Sequence, residues 1–143
     1  MDLGLSGKTV IVTGASKGIG LAVARAFVAE GARVGLVARG AEALDAAQAA
    51  LRSLGGEVAV VAADLRAADQ AEQAVAFIEA RLGPVDVLVN SAGAARKRAP
   101  ETLDAAAWRE GLDAKFFTYI HTQDAVLRRW ICLLYTSPSP RDS

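Results

Sequence analysis

The chain has 143 residues, 52% of them hydrophobic and 6% aromatic, and its 16 lysines and arginines balance 16 aspartates and glutamates. That length makes about one domain with a sizeable core, an alanine-, valine- and leucine-rich composition suits helices packed on a buried sheet, and zero net charge supplies no broad field for nucleic acid or an anionic membrane. A single cysteine, Cys132, excludes an internal disulfide framework and points to a reducing, cytoplasmic setting, while no run approaches the roughly 18 apolar residues of a membrane span and no basic segment leads into a sustained apolar stretch.

Residues 8–13 form a short β-branched run closed by glycine, which predicts a first strand. Ile19, Val23 and Phe27 then recur at helical spacing until Gly31, a residue that readily adopts a left-handed stop. Residues 33–38 read as a second strand, and Leu44, Ala47, Leu51 and Leu54 line one face of a second helix that ends at Gly55 and Gly56. A third strand at 57–62, a third helix at 70–82 stopped by Gly83 and Pro84, and a fourth strand at 86–90 repeat the rhythm. A last helix over about 104–130 places Trp108, Leu112, Tyr119 and Val126 on one inward stripe. Alternating strands and helices imply right-handed crossovers and a parallel sheet covered on both faces. The expected architecture is therefore an α/β, Rossmann-like doubly wound sheet, incomplete at about four strands in the order 3-2-1-4.

The rhythm breaks at "CLLYTSPSPRDS", where a Ser/Pro-rich stretch replaces the strand expected next. Residues 1–131 read as a partial nucleotide-binding domain. Residues 132–143 read as either a native flexible tail or foreign sequence that follows a truncation, and the second reading is preferred.

The first strand runs into "TGASKGIG", with Gly14, Gly18 and Gly20 spaced G-x-x-x-G-x-G. At the carboxyl end of a first strand, glycines let the chain turn tightly and let backbone approach a pyrophosphate, while the next helix presents unpaired N–H groups. The spacing is not that of a triphosphatase P-loop. Arg39 follows the second strand, where an acid would grip the ribose hydroxyls of NAD. Arg39 and Lys17, beside the glycine loop, instead suit a 2′-phosphate, so NADP(H) is expected in preference to NAD(H).

These residues resemble the short-chain dehydrogenases/reductases over about residues 5–130, through Thr13 to Gly20, Asp64-Leu65 and Asn90-Ser91-Ala92-Gly93. The resemblance implies that Thr13, Gly14, Ser16, Lys17, Gly18, Ile19 and Gly20 form the cofactor loop, that Asp64 contacts the adenine amino group with Leu65 beside the ring, that Asn90 closes the fourth strand and steadies the sheet, and that Ala92 and Gly93 pass close to the nicotinamide ribose. Ser91 stands where a second Asn is common. Capping of the following helix is the alternative role for Asp64.

The resemblance further implies hydride transfer between nicotinamide and a small carbonyl or alcohol substrate, in the manner of the 3-oxoacyl reductases, with a serine, a tyrosine and a lysine four residues after the tyrosine. That set is absent here, because Tyr119 is followed at that spacing by Gln123 and Tyr135 by Ser139. A fourth family position, an Asn about seven residues after Trp108, is held by Lys115, which either takes over the Asn role or snorkels to the surface. Asp113 is the alternative if the match slips. His121 lies off the inward stripe with no ligand cluster around it, so a solvated helix face is expected and no metal site. Arg96, Lys97 and Arg98 read as a solvated loop, with no interleaved aromatics for base stacking. Full-length relatives are expected to associate through the last helix. The competing readings are a non-catalytic nucleotide-binding or interaction module, and, more weakly, a methyltransferase.

Overall fold

A computed structural model of the chain describes residues 1–94 and 96–136. Its sheet is built from β1 (Thr9–Thr13), β2 (Arg33–Ala38), β3 (Glu57–Ala62) and β4 (Val87–Val89), all parallel, in the order β3-β2-β1-β4. Helices α1 (Gly18–Ala29), α2 (Ala41–Arg52) and α3 (Ala68–Leu82) make the three crossovers, followed by α4 (Ala105–Gly111) and α5 (Phe117–Thr136). Order, direction and fold class agree with the sequence reading.

The strands are continuous apolar runs because both faces are covered. One core packs Val10, Val12, Val34 and Leu36 under α1 and α2, and the other packs Ile11, Val37, Val75 and Ile78 with Ala125 and Val126 of α5. Gly35 in β2 is required by this closeness, since a Cβ there would fall 2.5 Å from Ile78 Cγ2.

The structure refines three expectations about helices. The fully buried residues of α1 are Gly20, Ala24 and Val28, with Val23 and Phe27 partly buried and packed beside them. Small residues let the helix lie close to the sheet, and Ile19 is left 79% exposed. Leu54 is also exposed, because α2 ends before it. The single long helix expected over 104–130 is in fact α4 and α5 joined by a π-helical turn, Leu112–Phe116. That turn adds a residue to the helical repeat and rotates the face that follows. Thr118, Thr122, Ala125 and Val126 become the inward residues of α5, whereas Trp108 and Leu112 are exposed. α5 also continues through Cys132 to Thr136, past the expected boundary, and the rest of the Ser/Pro-rich stretch lies outside the described residues. No described helix is long and apolar enough to cross a membrane.

Candidate nucleotide-binding site

β1 and β4 are neighbours, yet the chain leaves β1 toward β2 and arrives at β4 from β3. Their carboxyl ends therefore bracket the point where strand order reverses, and a crevice opens there as doubly wound sheets require. The cleft has a volume of about 950 Å³ and runs past the ends of all four strands.

The three loop glycines have different reasons for lacking a side chain. Gly14 sits at φ +63°, and a Cβ on it would lie 2.8 Å from both Cα and N of Ala92, so it permits the loop after β1 to touch the loop after β4. A Cβ on Gly20 would collide with the Gly14 carbonyl oxygen, so Gly20 lets α1 begin directly behind the turn. Gly18, at φ +60°, has nothing within 4 Å of its Cβ direction, and it lines the cleft. Its lack of a side chain keeps open the space in front of the amides that start α1. Lys17 occupies the N-cap without a side-chain cap, and no acid sits in the first turn. These amides thus remain available to an anion.

Thr13 and Asn90 do not line the cleft. Thr13 is fully buried behind it, and its Oγ1 accepts hydrogen bonds from the Ser91 and Ala92 amides at 3.1 Å each. It holds the β4 loop against the glycine turn. Asn90 lies one residue past β4, and its buried Oδ1 has no hydrogen-bond partner among the described residues. Ser16, Lys17, Ile19, Arg39, Asp64, Leu65, Ala92, Gly93 and Lys115 all border the cleft.

Asp64 does not cap α3, whose N-cap is Ala67 with no side-chain cap. Its carboxylate instead accepts from Arg66, with Nε to Oδ1 at 3.0 Å and Nη2 to Oδ2 at 2.7 Å, and the Arg66 amide also donates to Oδ1 at 3.0 Å. The hydrogen bond from the Arg66 side chain is the main cause that holds the carboxyl below its usual 3.8, at about 2. Leu65 is 4% exposed, and its side chain belongs to the core.

On the far side, the Ala94 amide donates to the Ala114 carbonyl at 3.2 Å, which ties the β4 loop to the π-helical turn. Gly93, at φ +145°, leaves room for the Lys115 stem, since a Cβ there would be 3.4 Å from Lys115 Cγ. Lys115 thus reaches the cleft from the π-helical turn, and not as one tooth of a continuous inward stripe. Asp113, the alternative, does not line the cleft.

Sequence reasoning missed several lining residues. Arg98, exposed as expected, donates to Glu110 Oε2 at 2.6 Å at the cleft wall, and Arg96 lines the cleft as well. His121 is half-buried, with Nδ1 2.8 Å from the Leu65 carbonyl oxygen, so it is not on a solvated face. Arg66 was discoverable as a cation two residues after a candidate adenine carboxylate, whereas Arg98 and His121 acquire their partners only through the fold. Among the described residues, six basic side chains border the cleft against two acidic ones, Asp64 and Glu110, and each acid is taken by an arginine. A chain of zero net charge therefore concentrates positive charge where an anion would bind.

Fold, switch-point cleft and glycine turn together define a dinucleotide-binding domain. A family profile described as short chain dehydrogenase matches residues 8–135, and the chain belongs to that family of oxidoreductases. Among related proteins, gluconate 5-dehydrogenase of Gluconobacter oxydans is 35% identical over 127 residues, covering 89% of this chain and 50% of that one. Galactitol 2-dehydrogenase (L-tagatose-forming) of Cereibacter sphaeroides is 46% identical over 107 residues, covering 74% and 41%. Among solved structures, a point variant of actinorhodin polyketide ketoreductase with NADPH superposes with a TM-score of 0.83 at 35% identity, over 94% of this chain and 51% of that one. L-Sorbose reductase from Gluconobacter frateurii, complexed with NADPH and L-sorbose, gives 0.84 at 31% identity over 90% and 49%. The chain spans half or less of the length of these curated relatives.

Proposed function

We propose that the chain is the cofactor-binding part of an NADP(H)-dependent short-chain oxidoreductase acting between a small carbonyl compound and its alcohol, with the 3-oxoacyl reductases as the branch it most resembles. The observation that carries this reading is the cationic end of the cleft, where Lys17 at the start of α1 and Arg39 after β2 border one space with no acid at the end of β2. The open amides of α1 and the space in front of Gly18 suit the pyrophosphate, Arg39 and Lys17 the 2′-phosphate, and Asp64 the adenine amino group. Ala92 and Gly93 bring bare backbone to the nicotinamide end, and Ile19 offers an exposed apolar surface beside it. Thr13 supports this arrangement from behind, and Asn90 directly follows the strand that leads into it.

When bound, the nicotinamide supplies the hydride. The protein's part is to orient the nucleotide and to deliver a proton to the substrate oxygen. This chain does not contain the serine and the tyrosine–lysine pair expected to hold that proton. Lys115 is the residue at the Asn-equivalent position that faces the nicotinamide end. The proposed setting is the reducing cytoplasm. Titration of the chain with NADPH, followed by nicotinamide fluorescence, tests the reading: saturable enhancement is expected, and none up to millimolar nucleotide would contradict it.

A second reading rests on a different observation. Phe116, Leu127 and Ile131 leave apolar surface exposed on the π-helical turn and α5, which favours association of full-length copies through this helix. Sedimentation equilibrium tests it, and a monomer at all concentrations would remove it.

A further inference from the structure

The start of α5 reaches both loops that flank the cleft. Thr118 Oγ1 lies 3.4 Å from the Ala92 carbonyl oxygen on the β4 side, and His121 Nδ1 lies 2.8 Å from the Leu65 carbonyl oxygen on the β3 side. Leu65 and His121 are 56 residues apart in sequence. A carbonyl only accepts, so Nδ1 carries the proton in this contact. The ring is held in place by Phe117, with centroids 5.8 Å apart and planes 33° from parallel. Behind it the Leu65 side chain packs in one core with Ala125 and Val126 of α5.

Several other polar groups of the loop at residues 63–66 are held by their own neighbourhood. The Ala63 amide donates to the Ala38 carbonyl of β2 at 2.8 Å, the Asp64 amide to Gln70 Oε1 at 2.7 Å, and the Asp64 carboxylate receives Arg66. The Leu65 carbonyl is held by α5 through the hydrogen bond to His121, immediately beside the carboxylate that faces the cleft. Rotation of the 65–66 peptide would move Arg66 as well, because the Arg66 amide and guanidinium both grip Asp64.

We propose that His121 is a positioning residue for adenine recognition: its Nδ1–H bond to the Leu65 carbonyl sets the loop so that the Asp64 carboxylate meets the 6-amino group of the bound nucleotide. This rests on the nucleotide reading given above. A histidine suits the task because its ring donates from Nδ1 while being wide enough to wedge against Phe117.

The test compares NADPH with its hypoxanthine analogue, which has a carbonyl in place of the 6-amino group, on wild type, His121→Phe and His121→Asn. Asparagine places an N–H where the imidazole has Nδ1. Wild type is expected to prefer NADPH over the analogue, His121→Phe to lose about three- to tenfold of that preference, and His121→Asn to retain it within about twofold, the range one hydrogen bond commands. The hypoxanthine analogue itself should bind His121→Phe as it binds wild type, which a general loosening of the fold would not produce. Undiminished preference in His121→Phe, or no preference in wild type, overturns the inference while leaving nucleotide binding intact. Absence of NADPH binding to wild type overturns the nucleotide reading and this inference with it. Nitrogen-15 spectra of the free protein add a nucleotide-independent arm: a protonated Nδ1 is expected, and the Nε2–H tautomer would contradict the contact.

Discussion

Gly14→Ala and Gly18→Ala should differ in kind, although both glycines have left-handed backbone and belong to one motif. At Gly18 the new methyl meets nothing within 4 Å, so the folding cost is that of holding an alanine at φ +60°, about 1 kcal/mol. At Gly14 the methyl carries the same backbone cost and also lies 2.8 Å from Ala92 Cα and N and from the Ser91 carbonyl oxygen. Ordinary carbon contacts need about 3.5 Å. The β4 loop must therefore retreat by about 0.7 Å against the two bonds that Thr13 makes to it, and a total loss of about 2–4 kcal/mol is expected. With a urea slope of about 1–2 kcal/mol per molar for a domain this size, Gly14→Ala should lower the midpoint by about 2 M and Gly18→Ala by under about 1 M. Gly18→Ala should nevertheless weaken NADPH binding, because its methyl projects into the space in front of the α1 amides. Equal midpoints for the two variants, or full nucleotide affinity in Gly18→Ala, would refute the division of labour among the glycines.

Thr13→Val keeps the shape of a fully buried side chain but removes the acceptor of two amides, so a loss of about 1–3 kcal/mol is expected by urea titration, together with weaker NADPH binding. Asp64 is held at about 2, below its usual 3.8, so its pairing with Arg66 contributes stability above pH 3.8 that is lost as pH falls through about 2. Asp64→Asn should therefore melt below wild type at pH 6, with the gap closing between pH 4 and pH 2, and a gap constant over that range would contradict the pairing. Purified chain is expected to show no oxidation of NADPH against ketones and 3-oxoacyl thioesters while still binding the nucleotide. Robust turnover would make Lys115 the first residue to mutate.

The order of elements and the glycine loop were legible because they depend on short-range chemistry: β-branched runs closed by glycine, and a strand–turn–helix whose turn needs glycine at fixed positions. The different roles of Gly14, Gly18 and Gly20 were legible only in outline, since what a Cβ would strike depends on Ala92 and on the turn itself. The π-helical turn at Leu112–Phe116 was not legible, because a single added residue leaves local composition unchanged yet rotates everything after it. The expected stripe failed at Trp108 and Leu112 for that reason, whereas Val126 is buried as expected. His121 was misread as solvated because its partner, the Leu65 carbonyl, lies 56 residues away, and the pairing of Arg98, exposed as expected, with Glu110 12 residues on was not foreseen. Charge neutrality of the whole chain likewise concealed the positive cleft, which exists only after the fold gathers Lys17, Arg39, Arg66 and Lys115 at one edge of the sheet.

The most direct test of the central claim is a calorimetric titration of the chain with NADPH and with NADH, repeated on Arg39→Asp. Tighter binding of NADPH by wild type, reversed to a preference for NADH in Arg39→Asp, is the predicted result. Equal affinities in wild type, or an unchanged preference in the variant, would contradict the assignment of the cationic end of the cleft to a 2′-phosphate.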